Sequence, residues 1–200
     1  MREAPPSVRD ARRAEIVAAA RRIVAERGLD ALTFAALERA LGYTRGVVTW
    51  HFRNKDEVVR AVLEDAIAEV DAVALAAIRS EETLADRARA VVRVMVRGWI
   101  GGSQVGRVLV PFWGRIYADP VAREANAAML ARYRDYSAEL VRIGQRRGEF
   151  RGDADPAAAG AVIVALVVGI AAQAMFDPAL DAEPAVAAAG DAVVAWLVAG

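Results

Sequence analysis

The chain has 200 residues, 56% of them hydrophobic and 26% charged, which is enough apolar material for a packed core in one or two domains. This excludes a disordered tail protein, a collagen-like chain and a small disulfide scaffold, and the absence of cysteine removes disulfides, a thiol nucleophile and thiolate-ligated zinc. The formal net charge is zero, yet residues 1–60 carry 12 basic and 8 acidic side chains against 14 and 18 in residues 61–200, a bias that points to an anionic partner for the first part alone.

Alanine is abundant and aromatic residues make up only 6%, which favours helix over sheet, because alanine loses least on entering a helix. Residues 1–9 read as a loose arm without the apolar core of a secretory signal. Asp10 can cap a helix running to about Arg27, with Ile16, Ala19, Ala20, Ile23 and Val24 on one face and Gly28 as its stop. Thr33 is a natural N-cap for a short helix ending near Ala40, and Leu41-Gly42-Tyr43 is a tight connection. Thr44 caps a second short helix that reaches about Phe52. Asn54 can cap a long helix from Lys55 to about Ser80, striped by Val58, Val62, Leu63, Ile67 and Val70. Further helices are predicted at about 83–100, 105–117, 120–147, 155–176 and 184–198, with Gly101-Gly102, Asp119-Pro120, Gly148 and Asp177-Pro178 among the punctuating residues. No window alternates with period two and no internal repeat is visible, so the fold class is all-α with about nine helices.

Ala157 to Phe176 contains a single strongly polar residue, Gln173, over a length that reaches the threshold for crossing a bilayer. It is built on Ala, Gly and Val, and acidic residues flank it, so a helix buried on all sides, at the domain core and a subunit interface, is the expectation over a membrane span.

Residues 33–52 place two short helices across a Gly-containing turn of about three residues, the spacing of a DNA-reading helix-turn-helix. Ala36 is small where the helices would cross, and Leu37, Leu41, Val48 and Phe52 can bury against Ile16, Ile23 and Val24. The free face of the second helix then carries Thr44, Arg45, Thr49, Trp50 and His51. An ordinary helix hairpin of a bundle fits the same pattern. For Arg45, a bidentate contact to guanine and a phosphate contact are both open, and for Trp50 domain packing and a backbone contact are both open. His51, the single histidine, has neither nucleophile nor orienting acid nearby and no fellow metal ligand, so it reads as a helix-end residue that bonds backbone or touches phosphate.

The run from Arg13 to Leu63 resembles the DNA-binding domain of TetR-type (tetracycline-repressor) transcriptional regulators. The matching pieces are Ile16-x3-Ala20-x2-Ile23, Gly28, Thr33-x3-Leu37, Leu41-Gly42-Tyr43-Thr44-Arg45-Gly46 and His51-Phe52-x-x-Lys55-Asp56-Glu57-Val58. The resemblance implies that Thr44, Arg45 and Gly46 open a recognition helix at the major groove, and that Thr33 and Lys55 hold phosphates. Thr49 stands where the family often has Tyr; it can still donate to a phosphate, with shorter reach. Residues 108–178 resemble the ligand-binding part of the BetI-type branch, on Phe112-Trp113, Asp119-Pro120, Tyr133, Gly144-x3-Gly148-Glu149-Phe150, Asp153 to Pro156, Gly169 and Asp177-Pro178.

Aromatic and soft residues collect in the middle helices, and Met95, Trp99, Phe112, Trp113, Tyr117, Tyr133 and Gln173 are the candidates for an apolar effector pocket, with a plain core as the alternative for each. The last two helices are apolar almost all round, and Val162, Leu166, Gly169, Ile170, Val193, Trp196 and Leu197 could pack on their two-fold copies. The expectation is a cytoplasmic homodimer with a DNA-binding domain over 1–54 and a ligand-binding and dimerisation domain over 55–200. Its partners would be a palindromic operator in double-stranded DNA and a small apolar or cationic effector. No catalytic residue, metal or cofactor is assigned, since no glycine-rich phosphate loop or His–carboxylate cluster is present.

Overall fold

Ser7 starts the first helix. In the computed structural model, which describes residues 7–100, 106, 108, 113–115, 117–177 and 179–198, α1 spans Val8–Arg27. The Ser7 hydroxyl accepts from the Asp10 amide at 3.2 Å and donates to the Asp10 carboxylate at 2.6 Å. Asp10 therefore works from inside the first turn, where its charge also suits the helix dipole, and the cap lies three residues earlier than the sequence suggests. Gly28, at φ +80°, ends α1. A single 3-10 turn, Leu29–Ala31, follows, which periodicity does not reveal.

Helix α2 spans Phe34–Leu41, capped by Thr33, whose hydroxyl accepts from the Ala36 amide at 3.1 Å. Gly42 closes it in the left-handed region at φ +69°, where a side chain is strained. Helix α3 spans Arg45–His51 and α4 spans Lys55–Ser80. Asn54 accepts from the Glu57 amide at 2.9 Å while Glu57 accepts from the Arg53 amide at 2.8 Å, a reciprocal cap that fixes where α4 begins. Helices α5 (Leu84–Trp99), α6 (Pro120–Arg147), α7 (Pro156–Phe176) and α8 (Glu183–Val198) complete the described elements, and no strand occurs among the described residues. Most of the expected helix over 105–117 lies outside the described residues, although Gly106, Val108 and Trp113 are helical.

Contacts divide the chain into two compact units, Met1–Ala68 with Arg107–Ala125, and Glu69–Gly106 with Asn126–Gly200. In the first, Ile16, Ala20, Val24, Leu37, Val48, Phe52 and Val58 are buried, as the amphipathic reading expects, while Leu41 is only half-buried. Each large apolar side chain so buried contributes about 1.5–3 kcal/mol. Arg21 of α1 pairs with Asp65 of α4 at 2.9 Å, and Arg115 with Asp30 at 2.7 Å.

The second unit packs α5 against α7 and α8 around Leu84, Val92, Val96, Trp99, Met129, Ile163 and Leu197. Helix α7 is not buried on all sides within the chain: only 39% of its most apolar 18-residue window is covered, and Val162 is 45% exposed. The inner face of α7 presses on α6 so closely that a Cβ on Gly160 would lie 2.4 Å from the Arg134 carbonyl oxygen.

Candidate nucleic-acid interface

Helix α3 is positioned by its inner side. Val48 and Phe52 are buried, which turns Arg45, Gly46, Thr49 and Trp50 outward as exposed residues. Thr44 occupies the N-cap position with extended backbone, but its side chain makes no capping hydrogen bond, so it is exposed and available to a ligand. Tyr43 donates to Glu15, tying the turn to α1.

Three expected contact residues already have partners. Thr33 accepts from Ala36, which leaves its hydroxyl proton for a phosphate. Thr49 donates to the Arg45 carbonyl at 2.9 Å, so in this state its hydroxyl can accept but not donate to a phosphate. Lys55 donates to the Leu29 carbonyl at 3.2 Å, clamping the start of α4 to the turn after α1.

Trp50 is 64% exposed and His51 half-buried, with their rings edge to face at 4.6 Å. The guanidinium of Arg13 lies 5.1 Å from the Phe52 ring centroid. Burial first, and then the charges of Arg9, Arg12 and Arg13, hold the His51 imidazole below its ordinary value of 6.5. These arginines of α1, which the residue-by-residue reading did not single out, extend the basic side of the helix-turn-helix. Their clustering at the start of α1 was the available signal. Among the described residues no group of His, Asp and Glu could hold a metal.

Within the second unit, Met95 and Tyr133 of the expected effector residues share a cavity wall, whereas Trp99 and Gln173 do not line it. Met95 and Tyr133 border a cavity of about 300 Å³ in the second unit, beside Asp71, Ile78, Val91 and Leu140. Trp99 is core at 3% exposure, Tyr117 is 93% exposed, Trp113 is half-buried, and Gln173 is exposed and bonds the Gly169 carbonyl of its own helix at 3.2 Å. Phe112 lies outside the described residues. Asp71 was missed. Its signal was position: Ala74, Leu75 and Ile78 extend the apolar face of α4 and enclose it at helical spacing.

Of the expected partner-facing residues, Val162 and Trp196 are exposed and Leu166 and Gly169 half-exposed. Ile170, Val193 and Leu197 are buried within the chain, at 8%, 1% and 0%, and belong to its core rather than to an outer face.

Residues 16–62 match the bacterial regulatory proteins of the tetR family, and residues 84–198 match the C-terminal region of BetI-type transcriptional repressors. The chain is 44% identical over 52 residues to the HTH-type transcriptional regulator TtgR of Pseudomonas putida, covering 26% of this chain and 25% of that protein. It is 43% identical over 74 residues to the HTH-type transcriptional repressor Rv1474c of Mycobacterium tuberculosis, covering 37% of each. These matches thus span between a quarter and about a third of the relatives' length. A solved transcriptional regulator from Saccharomonospora viridis, in complex with choline, shares the fold with a TM-score of 0.76 at 19% identity, covering 94% of this chain and 98% of that one.

Proposed function

The chain belongs to the tetR family of bacterial regulatory proteins, with a BetI-type C-terminal region, and we propose that it is a cytoplasmic, ligand-responsive repressor of transcription that a small apolar or cationic molecule releases from a palindromic operator. The single observation that carries this reading is the outward face of α3, where Thr44, Arg45, Thr49 and Trp50 are exposed on a helix whose other side is locked by Val48 and Phe52. That is the geometry of a helix laid in a major groove. Arg45 reads guanine, while Thr33, Lys55 and the arginines of α1 hold phosphates, and His51 buttresses the helix end.

A second copy completes the reader. Helix α7 has a mean hydropathy of 2.3 over its most apolar window, and Val162, Leu166, Gly169 and Trp196 leave an apolar strip on α7 and α8 that a two-fold copy covers. Two recognition helices then address half-sites about one helical turn, roughly 34–36 Å, or a multiple apart. Release follows from differential binding. Only three residues separate the end of α3 from the start of α4, which also carries Asp71 on the cavity wall, so a ligand that favours one placement of α4 biases the DNA-reading state.

The test is selection of fragments from a random duplex pool by the full chain. The expected result is an enriched inverted repeat whose affinity falls steeply with salt as counterions are released. Recovery of no preferred duplex at low salt would remove this reading.

A further inference from the structure

Resting on the effector-binding reading above, we infer that the cavity beside Asp71 and Tyr133 takes a primary or secondary ammonium ion with an apolar tail of medium length. The cavity is about 300 Å³, within the range of small-molecule sites. Its wall is mostly apolar: Ala74, Leu75 and Ile78 from α4, Val91 from α5, Leu140 and Ile143 from α6.

Of the polar residues on the wall, Glu139 is already held by Arg142 at 3.3 Å and Arg146 at 2.9 Å, whereas Asp71 and Tyr133 each carry an unsatisfied atom. The Asp71 side chain is 17% exposed, and Arg132 holds its Oδ2 at 2.6 Å. The other oxygen, Oδ1, is buried without a partner on the protein among the described residues. Tyr133 is 3% exposed, and its hydroxyl is buried and unpartnered as well. One turn further along α6, the hydroxyl of the fully buried Ser137 is in the same state. A buried acceptor left unpaired costs more than an ordinary hydrogen bond returns, so the site favours a ligand that brings donors. Burial, followed by the charge of Asp71, pushes the Tyr133 hydroxyl above its ordinary range, so it stays protonated and neutral.

The choice of charge follows from the same groups. Asp71 in ionised form only accepts, and an ammonium N–H satisfies it with charge, while the Tyr133 oxygen accepts a second N–H. The rings of Tyr133 and Tyr136 and the sulfur of Met95 on the same wall suit a cation with an apolar body. A quaternary ammonium has the charge but no N–H. At the other end of the α4 wall stands Arg79, eight residues on from Asp71 and so about 12 Å away at 1.5 Å per residue, with Arg87 of α5 also on the rim. A tail that remains uncharged there avoids these two cations. The second apolar cavity, about 330 Å³ beside Val73 and Val94, has Glu69 and Arg97 on its wall, but Arg97 is held by Glu183 at 2.7 Å and, among the described residues, none of its lining side chains carries a buried, unpartnered polar atom.

The test is calorimetric titration of the free full-length protein with n-octylamine, n-octyltrimethylammonium, n-octanol and octanoate. The expected result is one octylamine per chain, bound about tenfold or more tightly than the other three, with D71N and Y133F each weakening octylamine by about tenfold. Two variants on different helices guard against a misfolded one, and thermal melts identify it. Equal or tighter binding of the quaternary ammonium or of octanoate would overturn the inference, as would folded D71N and Y133F proteins that bind octylamine like the parent. No DNA enters this titration, so its failure beside intact duplex selection removes the ammonium site alone, and failure of duplex selection beside octylamine binding removes the regulator reading alone.

Discussion

The guanidinium carbon of Arg9 lies over the indole of Trp50, 5.1 Å from the ring centroid. A residue of α1 thereby steadies the most exposed ring of α3, and both present to the same solvent face. Such an exposed cation–π pair is worth about 0.5–1 kcal/mol, so Arg9→Ala leaves the melting temperature nearly unchanged. Its effect falls on DNA: loss of one phosphate-neutralising charge lowers the slope of log K against log salt by about 0.9. Trp50→Ala weakens duplex binding without altering that slope. Fluorescence anisotropy over a salt series measures both, and an unchanged slope in Arg9→Ala refutes the phosphate role.

Arg45 and Lys55 separate reading from holding. Arg45→Ala is expected to flatten the preference for one base pair, at about 1–3 kcal/mol for the preferred site. Lys55→Ala is expected to weaken all duplexes alike and to lower the salt slope by about 0.9. The lysine also donates to the Leu29 carbonyl at 3.2 Å, so a small loss of thermal stability accompanies it. If Lys55→Ala shifts the melt while the salt slope stays put, the lysine is a clamp and not a phosphate ligand.

Where Thr, Asn or Asp caps a helix, the sequence shows it. Thr33, Asn54, Thr83 and Asp155 each accept from an amide of the first turn, and the helix starts fell within a residue or so of expectation. Ser7 escaped notice because Pro5, Pro6 and a run of charges disguise the start of α1. The outward face of α3 was legible because Val48 and Phe52 mark its inner side. In α7 and α8 apolar residues lie on every side, so nothing in their spacing told inward Ile170, Val193 and Leu197 from outward Val162 and Trp196. Trp99 illustrates the same limit for the cavity, since a core tryptophan and a pocket tryptophan have identical spacing signals. Asp71 reads as a solvated helix residue until α4 is seen against α6, where Arg132 reaches it.

Gly160→Ala is expected to destabilise the second unit. The added methyl would sit 2.4 Å from the Arg134 carbonyl oxygen and 3.1 Å from the Ala138 amide nitrogen, both backbone atoms that cannot swing aside. Forcing α6 and α7 apart costs about 1–3 kcal/mol. For a chain of this size that lowers the melting temperature by roughly 2–12 °C, which differential scanning calorimetry resolves. An unchanged melt means the two helices are not in such close contact.

The single histidine offers a clean pH probe. Folding keeps the His51 ring neutral below its ordinary value of 6.5, through burial and then through Arg9, Arg12 and Arg13. Between the lowered native value and 6.5 the unfolded chain binds a proton that the native chain refuses, so stability falls as pH drops through that window. His51→Gln flattens that segment of the stability profile. NMR titration of the imidazole gives a midpoint below 6.5 in the free protein, and bound duplex raises it by bringing phosphates near. A midpoint at or above 6.5 without DNA contradicts the burial of the ring near the charges of Arg9, Arg12 and Arg13.

The uncovered strip of α7 and α8 makes the last prediction. Val162 is 45% and Trp196 36% exposed, so water meets apolar surface that a second copy would bury. Val162→Arg combined with Trp196→Arg places like charges on both sides of a two-fold contact and disrupts it by repulsion as well as by lost burial. Both sites are outward, so the chain keeps its own core of Ile170, Val193 and Leu197 and its helical signal. Light scattering coupled to size exclusion is expected to shift from the mass of two chains to that of one, 21.4 kDa, with operator affinity falling because a single recognition helix reads only half the site. If the double variant stays a dimer with full affinity, the copies meet through another surface; if the parent chain is already 21.4 kDa in solution, the two-fold reader is wrong.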